Sequence, residues 1–194
     1  MGDFKMGNNT VLTQSGTAKP TFGSGVPTGT VLRVFSQTYT ATSQIDESDF
    51  ETVGGTSTGN LTVTTATPLS SSSKFLLMAH ITHSISNSGV VTFRFYDGTT
   101  AISSSLSDAY GNRIQGSFGP GHWSTGPSTY PTNVSSMNHL YAPSSSVALT
   151  LSVKGKASGM DTNRNHYYNR SEAANDVDWL SNSISSFTVM EIAG

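Results

Sequence analysis

The sequence predicts an all-β protein, an antiparallel sandwich or jelly roll with almost no helix, and three observations carry that expectation. Charged residues are only 11% of the chain while Ser and Thr make up roughly 30%, so hydroxyls rather than charges keep the surface polar. β-branched Thr suits strands, Ser and Gly suit turns, and the Ala, Leu, Glu and Lys that dominate helical proteins do not dominate here. Finally, apolar residues alternate with a period of two in about eight short segments separated by turn residues, the pattern that a sandwich requires.

Residues 1–29 read as an extended arm. Phe4, Met6, Val11, Leu12 and Phe22 are thinly spread among small polar residues, and Pro20 and Pro27 forbid a helix. An arm of this kind has no core of its own, so these five side chains are expected to bury against a neighbouring protein. The remaining residues, 30–194, are expected to form one sandwich, since 194 residues suffice for one ordinary domain.

The first strand is expected in Gly29–Thr42, where Val31, Arg33, Phe35 and Gln37 alternate with Leu32, Val34 and Ser36. Asn60–Ser70 alternates Leu61, Val63, Thr65 and Thr67 with Thr62, Thr64 and Ala66, a half-exposed strand closed by Pro68. Lys74–His83 is mostly apolar on both faces, Phe75, Leu77, Ala79 and Ile81 against Leu76, Met78, His80 and Thr82, and reads as a central strand. Ser86–Gly89 is a turn signal leading into Val91, Phe93 and Phe95, and Asp97-Gly98 is the next; two hairpins in succession predict a meander. Periodicity fades over 103–136, which reads as one long irregular region. Strand character resumes in Met137–Pro143, in Ser145–Ser158 with Val147, Leu149, Leu151 and Val153 on one face, in Asn165–Ser171, and in Ser183–Gly194.

Composition excludes several functions. Ten Lys and Arg against twelve Asp and Glu give a net charge of −2, too weak a field to recruit nucleic acid or an anionic membrane. No apolar run approaches the ~18 residues of a membrane span, and the N-terminus lacks the apolar segment of a signal peptide. With no cysteine, disulfides, thiol nucleophiles and thiolate metal sites are all absent.

No catalytic, metal or cofactor-binding residue is nominated. His80 and His83 lie three apart, so on a strand they face opposite sides and cannot share a metal; they read as structural histidines. Asp161, Asn163, Asn165, Tyr167, Asn169 and Glu172 fall at the ligand positions of a calcium loop, but the required glycine is His166 and no amphipathic helix flanks it. A strand with its preceding loop is the preferred reading. There is no nucleophile elbow, and the carboxylates are scattered. One ligand or partner surface is open: Phe118, His122, Trp123 and Tyr130 lie in the irregular region among Gly, Ser and Asn, the residue types that stack on sugars and fill interfaces. The same aromatics could simply cap the end of the barrel.

Three segments together resemble one group of proteins. The first is the arm FKMGNNTVLTQSGTAKPTFGSGVPTGTVLRV. The second is the strand SSSSKFLLMAHITHS followed by FRFYDGTT, and the third is YYNRS with the ending ISSFTVMEIAG. They are similar to small jelly-roll structural proteins of tailed bacteriophages, marine and cyanobacterial ones above all. The resemblance implies a tumour-necrosis-factor-like sandwich, a homotrimer and a place in the virion, assembled in the host cytoplasm. A short arm before a single domain favours a capsid decoration (cement) protein that binds the major capsid protein or another virion protein through the arm. The alternative is a tail-fibre or receptor-binding tip that reads a host-surface glycan through its loops.

Overall fold

The computed structural model describes residues 2–6, 8–15, 21–22, 26–45, 49–55, 59–85, 89–119, 121–122, 132–143, 145–159, 166–171 and 182–194. In chain order the strands are β1 (Gly2–Met6), β2 (Asn9–Gln14), β3 (Thr21–Phe22), β4 (Val31–Tyr39), β5 (Ser43–Gln44), β6 (Glu51–Thr52), β7 (Thr62–Thr64), β8 (Lys74–Ile85), β9 (Gly89–Asp97) and β10 (Thr100–Ala101). After a single 3-10 turn at Ser103–Ser105 come β11 (Gly121–His122), β12 (Thr132–Tyr141), β13 (Thr150–Gly159), β14 (His166–Tyr168) and β15 (Ser185–Ile192). The protein is all-β, 55% strand and 2% helix, with antiparallel sheets. Among the described residues no helix is long and apolar enough to cross a membrane.

Two six-stranded sheets share one core, as in a β-sandwich. In the first, β8 pairs with β12 along one edge, from Phe75↔Tyr141 to Ser84↔Thr132. Along its other edge it pairs with β15 over Lys74–His80 and then with β14 over His83–Ile85. β4 flanks β15 and β5 flanks β14, so the two outer positions are each built from two strands laid end to end. The second sheet runs β10-β9-β13-β6, with β7 also on β13 and β11 also on β9.

Alternation decides which face is buried. Phe75, Leu77, Ala79 and Ile81 of β8 and Val91, Phe93 and Phe95 of β9 are fully buried, as are Leu61 and Val63. Rings meet across the layers: Phe95 stacks on Phe187 at 5.9 Å between centroids, and His83 meets Phe93 edge-on at 5.3 Å. Burying each such large side chain contributes about 1.5–3 kcal/mol. Gly155 of β13 faces this core where the Tyr168 ring crosses from the first sheet. A Cβ there would press into the Tyr168 hydroxyl and come within 2.9 Å of a Phe93 ring carbon.

Four expectations change. β8 and β9 do not form a hairpin; they lie in different sheets, and each turns a full apolar face into the shared core, which two neighbours in one sheet could not turn toward each other. The second turn is as expected, with Asp97↔Thr100 paired around Gly98 at φ 57°. The irregular region ends early, since β12 starts at Thr132, and Val147 is exposed rather than part of the core row with Leu149, Leu151 and Val153. Residues 1–29, expected as an extended arm without structure of its own, contain a three-stranded antiparallel sheet β1-β2-β3 whose strands, among the described residues, pair with one another and with no strand of the sandwich. Asn8 supplies a turn residue between β1 and β2, and Thr10, Thr13 and Thr21 supply β-branched positions for that sheet. The sandwich starts where Gly29 N–H donates to the Ala193 carbonyl at 2.8 Å.

Candidate functional site

The five arm residues converge in part. Phe4 pairs with Leu12, and Leu12 with Phe22, so three strands place them in one register row. Val11 is the extra residue at a bulge between Phe4 and Lys5, and Met6 pairs with Asn9. Phe4 is 58% exposed and Val11 and Leu12 are half-buried. An exposed large apolar side chain such as Phe4 on a small sheet gains by being covered.

A second apolar row crosses the outer face of the first sheet. Register aligns Val34 of β4, Met190 of β15, Leu76 of β8 and Leu140 of β12 side by side. Val34 and Leu140 are half or more exposed. Val31, Ile192 and Met78 extend the patch on the same face, while its polar members are mostly hydroxyls, such as Ser36 and Thr188, which hydrogen-bond each other at 3.2 Å.

On the second sheet, residues 105–118 fold over the outer edge of β9. Phe93 N–H donates to the Phe118 carbonyl at 2.7 Å and Ser117 N–H to the Phe93 carbonyl at 2.8 Å, so this segment continues the sheet as a short edge. Ser107 N–H donates to the Gly116 carbonyl at 3.1 Å, and Gln115 Nε2 to the Ser107 carbonyl at 2.7 Å, closing the loop on itself. Gly116 is required there, because a Cβ would run into Thr92 Cγ2. The loop and β9 enclose an open groove of about 670 Å³.

Cations gather on this face. Lys154 of β13 pairs in register with Arg94 of β9, and Lys156 with Thr92. The Arg94 guanidinium lies 3.9 Å from the Phe50 ring centroid and donates through Nε to the Gln115 carbonyl at 2.6 Å. Lys154 Nζ sits 4.4 Å over Tyr96. Arg113, on the groove wall, stacks on the exposed Tyr110 ring at 4.9 Å. Stacking on aromatic faces helps hold Arg94, Lys154 and Arg113 in place.

Of the four loop residues expected to bind a ligand or partner, Phe118 lines the groove. His122 pairs with Gly89 at its margin, and Trp123 and Tyr130 lie outside the described residues. The sequence reading missed Arg113 and the lysines. The spacing Lys154-Gly155-Lys156 was the available signal, since residues two apart on a strand share a face.

His80, His83 and His139 are each hydrogen-bonded to a serine hydroxyl. His80 is exposed and its Nδ1 meets Ser136 Oγ at 2.8 Å, while His83 is buried and its Nε2 meets Ser135 Oγ at 2.7 Å; alternation sends them to opposite faces as the sequence implied. His139 Nε2 meets Ser104 Oγ at 2.9 Å, and partial burial lowers its pKa from 6.5. Nearby, Tyr141 donates to Asp97 Oδ2 at 3.0 Å; burial first, then that bond and the Asp97 charge, push its hydroxyl up to about 12. The described residues contain no group of three or more metal-type ligands.

Of the calcium-loop positions, Asp161, Asn163, Asn165 and Glu172 lie outside the described residues. Tyr167 is in β14. Asn169 is fully buried at φ 61° and committed: its Nδ2 donates to the Tyr39 and Ala41 carbonyls at 2.8 Å each, and its Oδ1 accepts from Ser185 Oγ at 2.6 Å. A buried ion pair joins Arg33 to Glu191, whose other oxygen accepts from Leu69 N–H at 2.7 Å. No protein-family model matches the chain, and no curated protein matches it.

Proposed function

We propose that this chain is a structural component of a tailed-phage virion, a capsid decoration protein that grips the outside of the shell through residues 1–29 and associates as a homotrimer. The observation that carries the reading is the N-terminal sheet. It pairs with no strand of the sandwich, and it aligns Phe4, Leu12 and Phe22 in one row with Phe4 exposed. A row of this kind on a segment separate from the sandwich's sheets suits attachment to another protein.

The strand order supports a jelly roll of the tumour-necrosis-factor type. From β8 onward successive long strands alternate between the sheets, β8, β12 and β15 in one, with β4 beside them, and β9 and β13 in the other. The row Val34, Met190, Leu76 and Leu140 supports self-association, because monomers seldom expose contiguous apolar patches of several hundred Å².

The test is complementation of virus lacking this gene with a chain truncated of residues 1–29, followed by protein analysis of purified particles. The truncated protein should keep its melting temperature and oligomeric state and be missing from the particles. Incorporation at the full-length level would overturn attachment through the N-terminal segment.

A further inference from the structure

We infer that the outer edge of β12 docks the β12 of a second copy of this chain, the two strands pairing antiparallel about a two-fold axis with Val134 opposite the partner's Leu140.

The edge itself is the first observation. β12 pairs with β8 along its whole length, from Thr132 to Tyr141, without a bulge, and among the described residues no strand flanks its other side. Alternate residues of such a ladder turn their N–H and C=O groups away from the neighbouring strand. None of those groups on β12 makes a backbone hydrogen bond elsewhere among the described residues. The strand TNVSSMNHLY also carries no charged residue and no proline, the usual devices that keep an open edge from pairing.

The other long strands at sheet edges are closed. β10, β11 and Phe118 pair along β9, and β6 and β7 pair along β13. β4 carries the ion-paired Arg33, whose Nη2 donates to the Thr67 carbonyl at 2.6 Å, while Gln37 Nε2 donates to the Gly59 carbonyl at 3.3 Å. These bonds tie the chain on either side of β7 against the β4 edge. β12 stands apart from this pattern, and a chain that blunts its other edges leaves this one fit for pairing.

Self-complementarity selects the occupant. A two-fold axis sets residues of one sheet face opposite residues of the same face, so the strand can centre on Ser136, Met137 or Asn138 and still overlap along most of its length. Centred on Met137, Val134 faces the partner's Leu140 and Ser136 faces the partner's Asn138, each contact occurring twice. Val134 is 66% exposed and Leu140 50% exposed, so this register covers apolar with apolar and matches polar with polar. Centring on Ser136 would set Val134 against Asn138, and centring on Asn138 would set Leu140 against Ser136. The Met137 register also carries the row Val34, Met190, Leu76 and Leu140 on into the partner's Val134. With no charge on either strand, no like charges meet.

One strand pair covers less than the roughly 1,000 Å² of a stable interface. The contact therefore opens at micromolar concentration and fills where copies are held close together, as attachment to a shell would hold them.

The test uses the full-length protein, whose lack of cysteine makes introduced thiols the only ones present. The double variant Val134→Cys with Leu140→Cys, at about 0.5 mM under mild oxidation or with a short bis-maleimide, should form covalent dimers. Each single variant should give about 5-fold less, because the two copies of one position lie six residues out of register, about 20 Å apart. Both positions are exposed, so all three variants should melt like the parent when reduced.

Equal yields from single and double variants would overturn the inference, as would absence of covalent dimer with both reagents. Covalent products of three or more chains would mark a head-to-tail contact and overturn it too. The trimer is read separately, from light scattering at micromolar concentration, and attachment through residues 1–29 from particle composition, so failure here leaves both untouched.

Discussion

Gly155 and His139 show how much one position can carry. At Gly155 the core has no room for a methyl group, because the Tyr168 hydroxyl and the Phe93 ring already occupy it. Gly155→Ala should therefore cost about 1–3 kcal/mol, read as a fall in melting temperature of roughly 2–4 °C per kcal/mol. His139 gives a pH dependence. Burial lowers its pKa below 6.5, so the folded state binds its proton less well than the unfolded chain does. Stability from this group is complete above pH 6.5 and declines as pH falls through the lowered value. Thermal melts at pH 7.5 and about pH 5 should show a drop that His139→Gln reduces. A residue's face was legible where alternation speaks: the opposite directions of His80 and His83 follow from a period of two. Their partners were not, because Ser135 and Ser136 come from a strand some fifty residues away in sequence and only register brings them near.

At the scale of elements, the seam in the first sheet needs its own fastening. β15 and β14 share one edge of β8, and β4 and β5 share the next position, so two chain breaks fall side by side. Asn169 closes both, holding the Tyr39 and Ala41 carbonyls with its amide and Ser185 with its oxygen. Asn169→Ala leaves two carbonyls and a hydroxyl unsatisfied and puts alanine at φ 61°, where only Gly and Asn sit easily. The expected loss is about 3 kcal/mol or more, measurable by denaturant titration, and Asn169→Asp should also destabilise because a carboxylate cannot donate to those carbonyls. Long alternating strands such as β8, β9 and β15 were readable from the sequence. The link between β8 and β9 was misread because a turn signal says that the chain reverses, not whether the next strand joins the same sheet or crosses to the other. The N-terminal sheet was missed because its strands are short and carry only one apolar row, a pattern too sparse to separate from an extended arm.

Over the whole molecule, the exposed surfaces sort by chemistry: Phe4 on the register row of the N-terminal sheet, an apolar row from Val34 to Leu140, and a groove beside Phe118 with Arg113 on its wall. The second row is the surface on which the proposed self-association rests. Light scattering on the purified protein should give about three chains per particle, and the double variant Leu76→Ser with Met190→Ser should shift it to monomer while circular dichroism retains the β signal. A full-length protein that stays monomeric at micromolar concentration would remove the trimer from the account. The row from Val34 to Leu140 was not visible in the sequence, since it is assembled by register between strands far apart in the chain.

The most direct measurement is a cryo-electron-microscopy map of the purified virus particle. The account predicts three-fold density fitting the sandwich on the outside of the capsid lattice, joined to the shell through residues 1–29. Density for this protein confined to the tail, or its absence from the purified particle, would contradict it.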